Sequence, residues 1–219
     1  LALLDHTRAQ YNVDDNRIFL AGLSNGAIGV YTIGMFYPDR FAGLIPIAGS
    51  ITPRFMNFLI NLRNTPIYMI QGAHDPIFPI QLSRRVNKIL SDMRYPVVYR
   101  EHDKKGMAHG GHFLPENEIP GLLEWIKKQK RSLNPSRVRM TRENNHLGAI
   151  YWARLNKGKN LASLELPGPE SPKPNNRNGK IATLFAERKG KNLFEVMGEN
   201  IVEYDLFFNT DTVDFDKIV

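Results

Sequence analysis

The hydrophobic pattern of residues 1–131 alternates between strand-like and helix-like segments. Short, nearly continuous apolar runs, typical of strands that are covered on both faces, occupy residues 17–23, 41–50, 66–73 and 95–101. Apolar positions at helical spacing occupy residues 1–11, 27–36, 80–93 and 118–131. Because strands and helices alternate in this way, we predict an α/β fold with a doubly wound, mostly parallel sheet.

The pattern changes after Asn134. Downstream, β-like runs separated by Gly, Asn and Pro turns occupy residues 137–141, 149–155, 161–166, 180–187, 192–197 and 201–209. The prolines of residues 166–176 predict an exposed loop there. We therefore expect two domains, residues 1–134 and residues 135–219, of which the second is a small, all-β, sandwich-like domain.

The first strand-like run leads directly into Gly22-Leu23-Ser24-Asn25-Gly26 and then into a helical pattern. A serine on such a strand-to-helix turn has an exposed hydroxyl, as in a nucleophile elbow. Strand and helix backbones pass close together at this turn, so we expect a Cβ at Gly22 or Gly26 to clash. The alternative is a chance occurrence of so short a motif, but chance would not also supply the flanking strand and helix.

Residues 14–26, with Asp14 or Asp15 before Arg17 and the serine turn, resemble the phrase that precedes the nucleophile helix in the α/β-hydrolase superfamily. The resemblance is to its esterase, feruloyl-esterase, polyhydroxybutyrate-depolymerase-like and prolyl-oligopeptidase-like members, and it covers residues 1 to about 131. It implies acyl transfer to water without a cofactor, and it favours a bacterial secreted or cell-envelope protein. The helical pattern that starts at Leu1 predicts an N-terminally truncated chain.

A serine nucleophile needs a general base, and the base needs a carboxylate that orients it. The superfamily supplies these groups in the order Ser, Asp, His, and Ser24, Asp75 and His109 occur in that order. Residues 71–79 resemble the family's acid-loop phrase His-Gly-x-x-Asp-x-x-Val-Pro. The alternative for Asp75 is an ordinary Asp-Pro turn or a helix cap.

The identity of the base is ambiguous, because residues 106–110 and 111–113 both resemble the family's Gly-His phrase. We predict His109, whose surroundings align with Gly-Met-Gly-His-Gly versions of the phrase and which lies nearer the preceding strand. His112 is the alternative, because it keeps the preceding glycine that His109 lacks. The resemblance also implies that the backbone N–H of Asn25 stabilises the oxyanion, together with a second donor on an earlier loop that this sequence does not contain.

Composition and charge limit which partners, cross-links and metals the sequence predicts. The net charge is +7, but Lys and Arg are scattered, and the cluster at residues 127–131 is typical of a solvated helix end rather than of a nucleic-acid surface. No apolar run approaches the ~20 residues of a membrane span. The chain has no Cys, which excludes disulfides and thiolate chemistry. A metal site at His102, His109 and His112 lacks a carboxylate or Cys that would complete a familiar spacing, so no metal is expected.

These observations together predict a serine hydrolase that cleaves carboxylic esters through an acyl-enzyme intermediate. The substrate would be a small-molecule or polymer ester, and the oligomeric state is not readable from the sequence. A prolyl-oligopeptidase-like serine peptidase is one alternative. A catalytically silent binding protein on the same fold is the other.

Overall fold

The computed structural model describes residues 2–106, 109–143, 148–161, 164–165, 175–176 and 181–217. Its first part contains four helices, α1 (Ala2–Gln10), α2 (Asn25–Phe36), α3 (Ile80–Asp92) and α4 (Ile119–Lys128). The four strands of this part are β1 (Phe19–Leu23), β2 (Gly43–Ile47), β3 (Ile67–Gly72) and β4 (Val97–His102). A 3-10 helix, Pro53–Leu62, connects β2 to β3.

The four strands form one parallel sheet in the order β1-β2-β3-β4. Alternate side chains point to opposite faces of a strand, and the sheet buries both faces. On one face, Leu44 and Met69 lie in the same apolar cluster as residues of α2 and α3. On the other face, Ile45 and Ile70 pack with Leu122 and its neighbours from α4. The predicted α/β fold with a parallel sheet is confirmed.

The second part is antiparallel. Its strands are β5 (Arg137–Arg142), β6 (Ala153–Gly158), β7 (Leu164–Glu165), β8 (Asn175–Asn176), β9 (Ala182–Gly190), β10 (Leu193–Glu199) and β11 (Ile201–Leu206). They form a three-stranded sheet, β10-β9-β5, and two-stranded sheets β11-β6 and β7-β8. Side chains from β5, β6 and β9 share one buried cluster, so the first two sheets pack together like a small sandwich.

Two β predictions need comment. The run predicted at residues 149–155 begins later, because Tyr151 has a positive φ of 54° and the chain turns there before β6 starts. The exposed loop predicted at residues 166–176 lies outside the described residues except for β8.

A buried amide joins the two parts of the fold. Asn61, which is 2% exposed, donates from Nδ2 to the carbonyl of Met35 at the end of α2 (2.9 Å). Its Oδ1 accepts from the backbone N–H of Thr141 in β5 (2.7 Å). The antiparallel part is therefore packed against the 3-10 helix, and a domain boundary at residue 134 stays a prediction. Of the helices in the described ranges, none is both long and apolar enough to cross a membrane.

Candidate active site

Ser24 lies between β1 and α2 on a strained turn. Its φ of 61° and ψ of −122° are unusual for a residue with a Cβ, and such strain costs about 1–3 kcal/mol. The turn is held by the backbone: Ser24 N–H donates to the carbonyl of Ile47 in β2 (2.9 Å), and Ser24 C=O accepts from Ala27 N–H (2.9 Å). The serine therefore has the backbone geometry of an elbow at the carboxyl end of the sheet.

The two glycines of the turn differ in their surroundings. A Cβ added to Gly22 would lie 2.4 Å from the carbonyl oxygen of Gly26, so strand and helix do meet closely there. A Cβ added to Gly26 itself would have no heavy atom within 4 Å. The prediction that both positions exclude a side chain is right for Gly22 and wrong for Gly26, because the Gly26 backbone faces Gly22 while a Cβ on Gly26 would point into open space.

Asp75 follows β3, two strands away from Ser24 in the same sheet, or about 10 Å at the usual strand spacing. Its side chain is fully buried, and both carboxylate oxygens accept hydrogen bonds. Oδ1 accepts from the backbone N–H groups of Ile77 (2.8 Å) and Phe78 (2.9 Å). Oδ2 accepts from Gln71 Nε2 (2.9 Å) and is 2.9 Å from His112 Nδ1. Asp75 therefore caps its own Asp-Pro turn with Oδ1 and also presents Oδ2 to His112.

The hydrogen bonds decide the charge of Asp75. Burial acts to raise its pKa, since a carboxylate loses solvation in the protein interior. The donors Phe78 N–H, His112, Ile77 N–H and Gln71 together outweigh that cost and hold the pKa of Asp75 below its ordinary value. The carboxylate is therefore ionised at neutral pH.

A close contact between Gly72, at the end of β3, and Gly111, in the loop after β4, brings His112 to Asp75. A Cβ on Gly72 would lie 2.2 Å from the carbonyl oxygen of Gly111, so the two backbones touch. Gly111 N–H also donates to the carbonyl of His74 (3.0 Å). His112 comes directly after this contact, and its side chain is only 9% exposed.

The structure pairs Asp75 with His112, the alternative base, and not with the predicted His109. His109 lies at the outer turn of the loop, where its carbonyl accepts from His112 N–H (3.0 Å) and its side chain is exposed. The reason is that the loop folds back after β4, so that Gly111, and not the residues nearer the strand, reaches β3. Residues 107 and 108, on which part of the His109 alignment rested, lie outside the described residues.

Asn25 is the first residue of α2, so its N–H is one of the donors at a helix start that have no intrahelical acceptor. This position suits the oxyanion role expected for it. His102 does not join the site: it is 6% exposed and its ring packs against Phe113 at a centroid distance of 5.2 Å. Within the described ranges, no group of three or more His, Cys, Asp or Glu side chains could hold a metal ion.

Comparison with known protein families shows which family the chain belongs to. The family model of phospholipases and carboxylesterases matches residues 2–130. The chain belongs to the phospholipase/carboxylesterase family. The match ends close to the end of α4, so the antiparallel part lies beyond the residues that define the family.

Individual relatives of the family agree with this membership. Poly(3-hydroxyalkanoate) depolymerase C of Paucimonas lemoignei is 40% identical over 48 residues, which are 22% of this chain and 12% of that protein. Acyl-protein thioesterase 1 of Gibberella zeae is 25% identical over 138 residues, which are 57% of this chain and 54% of that protein. The crystal structure of a thermostable esterase superposes with a TM-score of 0.53 at 30% identity, covering 59% of this chain and 35% of that one. The chain spans about half the length of the thioesterases that it matches.

Two residues next to the site have contacts that sequence reasoning missed. Phe78 donates its N–H to Asp75 and also stacks its ring on His112, with centroids 6.0 Å apart and planes at 11°. Gln71 occupies the position at which the family's acid-loop phrase has His, and it donates to Asp75. That departure from the phrase was the available signal for Gln71, whereas no pattern in the sequence indicated the stacking by Phe78.

Proposed function

We propose that this protein is a serine hydrolase that cleaves carboxylic esters, with Ser24 as nucleophile, His112 as general base and Asp75 as the group that orients the base. The observation that carries the proposal is the hydrogen bond between His112 Nδ1 and the buried, ionised Asp75 at the sheet edge that also bears the strained Ser24 turn. The membership of the chain in a family of carboxylesterases supports it.

The charge of Asp75 determines the tautomer of His112. An ionised carboxylate can only accept hydrogen bonds, so the shared proton lies on Nδ1 of the imidazole. The neutral ring then has its free acceptor at Nε2, which is the atom that takes a proton from a serine hydroxyl. When His112 becomes an imidazolium during the reaction, the buried negative charge of Asp75 stabilises it.

Catalysis follows in two steps. Ser24 Oγ bonds to the ester carbonyl carbon while its proton moves to His112 Nε2, and the oxyanion that forms accepts from the N–H of Asn25. The tetrahedral intermediate expels the alcohol, which takes the proton from His112, and the acyl group stays on Ser24. Water then attacks the acyl carbon and loses a proton to His112. The carboxylic acid leaves, and His112 returns the proton to Ser24 Oγ.

Labelling with a fluorophosphonate probe tests the proposal, because such probes react with a serine whose hydroxyl is activated by a neighbouring base. We expect one labelled residue, Ser24, found by mass spectrometry of peptides. Ser24→Ala should abolish the labelling, while the matched change at the exposed Ser91 should leave it intact. Labelling that is spread over several serines, or that is absent from Ser24, would contradict the proposed enzyme and favour a catalytically silent binding protein.

A thioester substrate is the second candidate, and the observation that favours it is the match to proteins named acyl-protein thioesterase 1. The same attack by Ser24 would expel a thiol in place of an alcohol. Turnover of a p-nitrophenyl ester compared with a matched acyl thioester would rank the two substrate classes. No contact within the described part of the site favours the prolyl-oligopeptidase-like alternative.

A further inference from the structure

Gln71 is a buried polar residue in direct contact with the acid of the site. It lies near the end of β3 and is 1% exposed. Its Nε2 donates to Asp75 Oδ2 (2.9 Å) and, at longer range, to the carbonyl of Phe78 (3.4 Å). Its Oε1 accepts from the hydroxyl of Ser83, a buried residue of α3 (3.2 Å).

These contacts allow one orientation of the amide. An ionised carboxylate and a carbonyl only accept, so the NH₂ group of Gln71 must face Asp75 and Phe78. Rotating the amide by half a turn would place its oxygen against the carboxylate and leave a buried donor unused. Ser83 reinforces the observed orientation because its hydroxyl donates to the oxygen on the other side. Gln71 is thereby hydrogen-bonded to α3 as well as to Asp75.

We propose that Gln71 is a positioning residue that holds Oδ2 of Asp75 toward His112, with Ser83 anchoring the amide on α3. The inference rests on the proposed catalysis by Ser24, His112 and Asp75. A carboxylate has about four lone-pair sites, and here four donors occupy them. Oδ2 alone serves both Gln71 and His112, so the position of this oxygen sets the orientation of the imidazole.

The first test removes the donor and keeps the shape. Gln71→Met should lower the rate of fluorophosphonate labelling at Ser24 by about 10- to 100-fold, the usual range for a hydrogen bond to a charged group. The matched control is Gln81→Met on the exposed side of α3, which should label at the rate of the unaltered protein. A Gln71→Met variant that keeps its fold and labels within about twofold of the unaltered rate would overturn the proposal.

The second test makes the donor depend on pH. In Gln71→Glu, a protonated Glu can donate to Asp75 as the amide does, but an ionised Glu would repel it, and burial beside a like charge favours the protonated form at low pH. We expect the labelling rate of Gln71→Glu, divided by the unaltered rate, to fall as pH rises and to recover when the pH is lowered again. The same ratio for Gln71→Met should not change with pH.

A purely structural role for Gln71 predicts a different result. Both variants would then lower the rate by a factor that is independent of pH, and a flat ratio for Gln71→Glu overturns the inference. If Gln71→Met fails to fold, the reversible pH response of Gln71→Glu still decides. Failure of this inference is distinguishable from failure of the proposed function, because only the latter removes the labelling of Ser24 from the unaltered protein.

Discussion

The two halves of the candidate site are stabilised in different ways. On the acid–base side, Asp75 is fully buried, accepts four hydrogen bonds and meets a His112 side chain that is 9% exposed. On the nucleophile side, Ser24 is only half-buried and follows β1, which pairs with β2 alone among the described strands. The first half is a buried charge saturated with hydrogen bonds, whereas the second is a neutral side chain on a strained turn beside an edge strand.

This difference follows from the chemistry of each half. A charged carboxylate in the interior is stable only when donors saturate it, and here three donors lie within four residues of Asp75 while His112 comes from a distant loop. A serine hydroxyl is neutral and needs exposure to substrate, so a strained turn and one close glycine contact suffice to present it. We therefore expect substitutions in the acid–base half to act by changing the contacts around Asp75 and His112. Substitutions in the nucleophile half should act through β1, the strand that precedes Ser24.

The largest effect should come from the base. His112→Ala should lower ester turnover by about 10⁴- to 10⁶-fold, because neither Ser24 nor the leaving group can then exchange a proton with the enzyme. His109→Ala, on the exposed turn of the same loop, should leave turnover near that of the unaltered protein. Steady-state kinetics on a p-nitrophenyl ester measures both, and the reverse ranking would return the role of base to His109.

The next effect concerns the glycines. Gly72→Ala places a methyl group 2.2 Å from the Gly111 carbonyl, which can yield only if the loop moves, so we expect turnover to fall about 100-fold as His112 shifts. Gly26→Ala adds a methyl group to open space in the first turn of α2, and it should raise the melting temperature slightly, since Ala favours helix. Equal losses of stability in the two variants would contradict the contrast between the halves.

A moderate effect is expected at the outer edge of β1, which has no strand partner among the described residues and where Leu23 is 46% exposed. An unpaired strand edge with apolar side chains favours association, so the 219-residue chain should form concentration-dependent oligomers in sizing chromatography. Ala21→Lys, at an exposed position of β1, should shift the chain toward monomer. Leu193→Lys on β10, an edge strand of the antiparallel part, is the control and should not. A chain that is monomeric at every concentration would show that this edge is covered in solution.

The smallest effect is on acid stability. The folded-state pKa of Asp75 lies below its unfolded value, so its ionised form stabilises the fold above the unfolded pKa, and this contribution is lost as pH falls through the folded pKa. Asp75→Asn should therefore show a shallower decrease in the free energy of unfolding on acidification below about pH 4. Urea titrations at several pH values measure the slopes, and parallel curves for the two proteins would disprove the assignment.

Much of the fold and half of the site follow from patterns along the chain. The alternation of apolar runs with helical spacing places all four parallel strands within a few residues of their observed bounds. Much of the serine turn depends on contacts between residues three or four apart, so Ser24, Gly22 and the start of α2 are readable from local sequence, although the hydrogen bond of Ser24 to Ile47 is not. Asp75 is predicted as the acid from its own sequence surroundings, because the acid-loop phrase directly follows β3.

Tertiary structure decided which histidine meets Asp75. His109 and His112 are three residues apart in one loop, and the family's Gly-His phrase resembles the surroundings of both. The choice depends on where Gly111 can touch Gly72, a contact between the end of β3 and a loop after β4 that is far from it in sequence. Gln71 and Phe78 lie only four and three residues from Asp75, so their hydrogen bonds to it are local, but the stacking of Phe78 on His112 depends on the tertiary contact.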